Sequence, residues 1–136
     1  MIRFFKEDTS FELPEKHKVK TWLKSIVIQE GKQIGELSYI FCSDEYLLQV
    51  NREYLDHDYY TDIITFDNAE EEEQIEGDIF VSIDRVRDNA SMLQVPFEIE
   101  LRRVLAHGVL HLCGYKAKSS DEEPLMRAKE NFYIGQ

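Results

Sequence analysis

The stretch Ala106-His107-Gly108-Val109-Leu110-His111-Leu112-Cys113-Gly114-Tyr115 decides the reading of this chain. It sets two histidines four positions apart inside an apolar run. Residues i and i+4 share one face of a helix, so both imidazoles can converge on a single ion. Val104, Leu105, Ala106, Val109, Leu110 and Leu112 make the same helix apolar on most sides, the mark of a core helix. An unpartnered polar ring is expensive in such a place. A shared metal would satisfy both rings at once; separate hydrogen bonds within the core are the plainer alternative.

Working outward, the helix begins at Pro96 and stops at Gly114, where a C′ glycine belongs. Glu100, Arg103, His107 and His111 form a polar stripe along it, spaced by three or four. Gly108 is unfavourable in mid-helix by about 1 kcal/mol relative to Ala, so it marks close packing by another backbone or open space beside a metal. Further out, Ile2 to Phe5 reads as an edge strand, and Pro14 opens a helix carrying Val19, Trp22, Leu23, Ile26 and Val27. Ile34 to Phe41 is a strand, and Ser43 caps a helix running to Leu55. Ile63 to Phe66 and Gly77 to Ile83 are strands on either side of the acidic loop Glu70-Glu71-Glu72-Glu73. Asp84 caps a helix through Val86 to Met92, and Ser119 or Ser120 caps the last one. The order β, α, β, α, β, β, α, α, α predicts an α/β (α+β) domain. It has one mixed sheet of about four strands, packed with about five helices around the histidine-bearing one. Residues 1–136 read as a single domain.

The chain has 136 residues, 43% of them hydrophobic and 32% charged, which describes a folded globular domain. No apolar run is long enough to cross a bilayer, and the first residues lack the apolar segment of a secretion signal. A cytoplasmic location, no membrane partner, and free thiols at Cys42 and Cys113 are therefore expected. A net charge of −11 opposes non-specific binding to nucleic acid, so any RNA surface must gather its cations on one side.

In the helical zinc-protease motif His-Glu-x-x-His, the Glu is the general base. Gly108 stands in its place, which disfavours a protease. Instead, His107 to Tyr115 resembles the signature His-Gly-x-Leu-His-Leu-x-Gly-Tyr-Asp-His of the YbeY family of metal-dependent endoribonucleases. Asn51-Arg52-Glu53-Tyr54 and Asp58-Tyr59-Tyr60-Thr61-Asp62-Ile63-Ile64-Thr65-Phe66 are similar to a second family stretch, and Gly77-Asp78-Ile79-Phe80-Val81-Ser82 to a third. The three occur in the family's order. The resemblance implies a nuclease of ribosomal RNA maturation, with ribosomal RNA and the small ribosomal subunit as partners. It also implies one Zn²⁺ per chain, held by His107 and His111.

Three positions depart from the pattern. The third family histidine is Ala117, which has no donor atom; the family arginine after Tyr54 is Leu55; and the proline before Thr61-Asp62 is Tyr60. The third ligand is thus open. Asp121 is one candidate and Glu122 and Glu123 are others, although acids suit the first turn of a helix regardless. Cys113, two positions past His111, projects to nearly the opposite face and reads as a core thiol. Arg103 is the expected transition-state cation, and Arg85, Arg87, Lys116 and Lys118 the expected RNA-binding set, with Arg127 close by in sequence. His57 and Asp62 are candidates to line the cleft. Trp22 sits at a core position. Ala117 and Leu55 favour the alternative of a ribosome-associated binding factor with reduced or no catalysis.

Overall fold

The computed structural model describes residues 1–116 and 119–136. Along the chain run β1 (Ile2–Lys6), α1 (Lys16–Gln29), β2 (Gln33–Cys42), α2 (Asp44–Leu55), β3 (Ile63–Asp67) and β4 (Gln74–Ser82). Three helices follow: α3 (Ile83–Leu93), α4 (Phe97–Leu112) and α5 (Glu122–Ile134). This is the expected order. The sheet has four strands in the order β1-β2-β4-β3. β1 and β4 both lie parallel to β2, and β3 is antiparallel to β4, so the sheet is mixed. Parallel neighbours need crossovers, which α1 supplies between β1 and β2, and α2 with β3 between β2 and β4.

The sheet divides the core. On one face α4 lies against β3 and β4 and touches α1, α3 and α5, which makes it the hub of the helical layer. Leu101, Val104, Leu105, Ala106, Val109 and Leu110 of α4 are buried there with Leu23 and Ile26 of α1 and Ile79 and Val81 of β4. The buried Tyr39 hydroxyl donates to the Leu105 carbonyl at 2.7 Å and pins the helix to β2. On the other face α2 packs through Leu47 and Val50 against Cys42 and Ile64, with Tyr46, Phe66 and Phe80 alongside.

Several local signals are adjusted; the last helix, for one, has Asp121 and not Ser119 or Ser120 at its N-cap. Ser82, not Asp84, caps α3: its hydroxyl accepts from Arg85 N at 3.1 Å. The Asp84 carboxylate instead accepts from Asp44 N at 2.9 Å, at the start of α2. β4 begins at Gln74, three residues before Gly77, because Gln74 and Ile75 extend the pairing with β2. Gly108 meets side chains and neither a backbone nor open space: a Cβ there would lie 3.0 Å from Ile79 Cδ1 and 3.2 Å from Ile63 Cδ1. The glycine lets α4 settle directly onto the sheet. Cys42 and Cys113 are free thiols, and Trp22 packs against the core with Nε1 donating to the Tyr133 carbonyl at 3.0 Å. Among the described residues, no helix is long and apolar enough to cross a membrane.

Candidate active site

The polar stripe of α4 opens onto a cleft of about 490 Å³ between α3, α4, α5 and the start of β3. Glu100, Arg103 and His107 line it from α4, one helical turn apart on one face. Asp62 enters from the loop before β3, Asn89 from α3, and Glu123, Arg127 and Glu130 from α5. His111 lies one turn beyond His107 on α4 and is half-buried. Four residues further on, the Tyr115 hydroxyl donates to Glu30 at 2.6 Å. Lys129 also donates to Glu30, at 3.2 Å, and so does the Tyr133 hydroxyl. Burial alone would push the Glu30 carboxyl up, but these three hydrogen bonds outweigh it and hold it below its usual range. The signature's Tyr115 is thereby tied to α1 and α5.

His107 is held from one side. Its Nδ1 lies 2.8 Å from Glu130 Oε2, and Glu130 is 4% exposed. Arg103 Nη1 stands 3.6 Å from the other oxygen of the same carboxylate and donates to Asn131 Oδ1 at 2.9 Å. Arg103 Nε faces Glu100 Oε1 at 3.4 Å without hydrogen-bond geometry. The cation expected to meet a transition state is therefore engaged by two buried carboxylates. Arg127, exposed and making no ion pair among the described residues, is the freer guanidinium of the cleft.

Two carboxyls there are shifted upward. Burial raises the Asp62 carboxyl, and His107 pulls it partly back; Asn89 Nδ2 donates to Asp62 Oδ2 at 3.4 Å. Burial likewise raises Glu100, with Arg103 opposing. Cys113 packs against the core as expected, and burial pushes its thiol up to about 11, far from a ready thiolate ligand.

Of the expected RNA-binding set, none among the described residues lines the cleft. Arg85 is engaged by Asp44 at 2.8 Å and Asp88 at 3.6 Å, and its guanidinium lies over the Tyr60 ring. Arg87 is exposed above Phe97, and Lys116 is exposed beyond α4. Lys118 and the third-ligand position, Ala117, lie outside the described residues. Asp121 is exposed at the N-terminus of α5, with Glu122 and Glu123 in its first turn, where acids complement the helix dipole. Among the described residues no three His, Cys, Asp or Glu side chains converge as a ligand set. His57 stacks on Tyr59 away from the cleft lining, and Leu55 is exposed at the end of α2.

The polar cleft residues that the sequence reading missed are Asn89 and Glu130. Glu130 carried a signal. Met126, Glu130 and Tyr133 are spaced by four and three on the buried face of α5, and a carboxylate inside such a stripe needs a partner.

Fold and cleft define an α+β enzyme whose polar site is carried by a histidine-bearing core helix. A sequence profile described as endoribonuclease YbeY matches residues 3–136. The chain belongs to the endoribonuclease YbeY family. It is 61% identical over 130 residues to the endoribonuclease YbeY of Cytophaga hutchinsonii, covering 96% of this chain and 91% of that one. The Flavobacterium psychrophilum endoribonuclease YbeY is 51% identical over 127 residues, covering 93% of this chain and 90% of its own. The solution structure of TM1509 from Thermotoga maritima superposes with a TM-score of 0.71 at 30% identity, covering 98% of this chain and 87% of that chain.

Proposed function

We propose that residues 1–136 form one domain that cuts ribosomal RNA by metal-assisted hydrolysis, with His107 and His111 as the protein ligands of one divalent ion, Zn²⁺ by donor type. The observation that carries this reading is that His107 lines a polar cleft together with Asp62 and Arg127. The donor chemistry fits in part, with two imidazoles at hand and no third side chain converging on them among the described residues. Both imidazoles stand on one face of α4, and His107 is braced through Nδ1, which leaves Nε2 as its ligating atom. Ala117 offers no third donor, so water, or a carboxylate such as Asp121, completes the shell. A bound ion would supply an activated water and polarise a phosphoryl oxygen.

The chain's own residues divide the remaining work. Arg127 meets the negative charge that builds on the phosphoryl oxygens. Arg103 braces the cleft wall and reaches that charge only as far as its carboxylate partners allow. Asp62 accepts the proton of the attacking water, a role that suits a carboxyl raised by burial. Arg87 and Lys116, with the more engaged Arg85, meet the RNA backbone outside the cleft, and Lys118 adds a further cation to that set. The small ribosomal subunit is the proposed partner and the cytoplasm the proposed location.

The test uses purified protein and a structured ribosomal RNA fragment. Elemental analysis is expected to find metal near one per chain, lost together with cleavage in the His107→Ala/His111→Ala variant. Metal-free protein that cuts RNA, or metal unchanged in that variant, overturns the reading. Ala117→His is expected to tighten metal binding at least tenfold if the site is short of one ligand.

A further inference from the structure

Glu130 is a buried carboxylate that links Arg103 to His107 in a chain of polar groups running from Glu100 through Arg103 and Glu130 to His107. Three of these stand on α4, and Glu130 is brought to them by α5. A neutral imidazole carries one proton, and the nitrogen that keeps it cannot bind a metal. A carboxylate facing Nδ1 at 2.8 Å accepts a hydrogen bond, so the proton stays on Nδ1 and the lone pair is left on Nε2. We propose that Glu130 is the positioning residue of the metal centre: it fixes His107 as the Nδ1–H tautomer and locks the ring plane, with Arg103 and Asn131 holding the carboxylate end of α5 against α4.

The arrangement is specific to this carboxylate. Glu130 has both oxygens engaged, one by His107 and the other by Arg103. It is 4% exposed, so water does not compete for the imidazole proton. Arg103 in turn donates to Asn131, the next residue of α5, and so grips two consecutive positions of that helix. A purely structural ion pair would need only Arg103 and Glu130. The imidazole is the member that structure alone does not require.

The inference rests on His107 being a metal ligand, and two readouts separate its failure from failure of that reading. The first needs no metal. In chelator-treated protein above neutral pH, long-range ¹H–¹⁵N correlation of the His107 ring is expected to report the Nδ1–H tautomer. Glu130→Ala is expected to shift it towards Nε2–H. Glu130→Gln, which keeps a neutral acceptor of the same shape, is expected to hold an intermediate state. The second is titration of the apoprotein with Zn²⁺ alone. Glu130→Ala is expected to weaken binding about 10- to 100-fold and Glu130→Gln by less, the usual effect of removing an outer-shell partner. If Glu130→Ala does not fold, Glu130→Gln alone decides by both readouts. An unchanged tautomer, or Zn²⁺ affinity within about threefold of the parent in variants that still lose metal on His107→Ala, overturns the role of Glu130 and leaves the metal site standing. Zn²⁺ affinity unchanged by His107→Ala overturns the metal reading and this role with it.

Discussion

A methyl group on Gly108 would sit 3.0 Å from Ile79 Cδ1, closer than packed carbon atoms approach. Ile79 is fully buried in β4 and its branched side chain has little freedom to retreat. Helix propensity favours Gly108→Ala by about 1 kcal/mol, whereas overpacking a tight core costs about 1–3 kcal/mol. The second term wins. Gly108→Ala should lower stability in urea unfolding by about 1 kcal/mol. Adding Ile79→Val, which removes the clashing Cδ1, should restore part of it. An additive double mutant would show that α4 rises off the sheet without resistance.

Asp62→Asn is expected to raise stability while lowering RNA cleavage. The folded protein holds the Asp62 carboxyl above its usual range, so the folded state binds more protons than the unfolded one across that window. Stability from this group therefore falls as pH rises from about 4, the unfolded value, through the raised folded value. The penalty is complete above both. Thermal melts should show the gain from Asp62→Asn largest near neutral pH and vanishing below about pH 4. A gain that grows in acid would contradict the burial argument.

Glu30 titrates in the opposite sense. Its folded carboxyl is held below the usual range, so its contribution is present above the unfolded value and is lost as pH falls through the folded one. Glu30→Gln should cost about 1–3 kcal/mol at neutral pH, the range for disturbing buried hydrogen bonds to a charged group. The difference from the parent should close in acid. Urea curves at two pH values measure it.

The two arginines of the cleft should separate cleanly. Arg103→Met leaves Glu100 and Glu130 buried without their cation, a loss of about 3 kcal/mol, at the low end for a buried pair because the guanidinium keeps some contact with water. Arg127→Ala removes an exposed cation that makes no ion pair among the described residues and should leave Tm within about 2 °C, since surface changes fall within about 0.5 kcal/mol. It should lower kcat/KM on RNA about tenfold or more. Thermal melts and cleavage kinetics on the same samples test both.

The fold is largely legible in the sequence because its decisive signals are local. The apolar periodicity of α4, the serine before α2 and the Gly114 stop each act within one helical turn. The cleft is only half legible. Glu100, Arg103 and His107 share one helix, and their convergence follows from 3.6-residue periodicity. Glu130 stands 23 residues beyond His107 on another helix, and no local pattern fixes which side chain it meets. Arg103 reads as a free cation in sequence for the same reason, since its partners Glu130 and Asn131 arrive from α5. Asp84 and Ser82 are equally plausible caps by residue type, and the choice between them turns on Asp44, which a distant helix start supplies.

Both histidines lie on α4, yet the carboxylate that braces one of them comes from α5. A chain broken or still in synthesis short of Glu130 already carries the whole sheet and the imidazole pair, but lacks the group that orients His107. Premature termination in α5 would therefore yield a near-complete fold with a mis-set centre, and a nascent chain acquires its organised site only at the final helix.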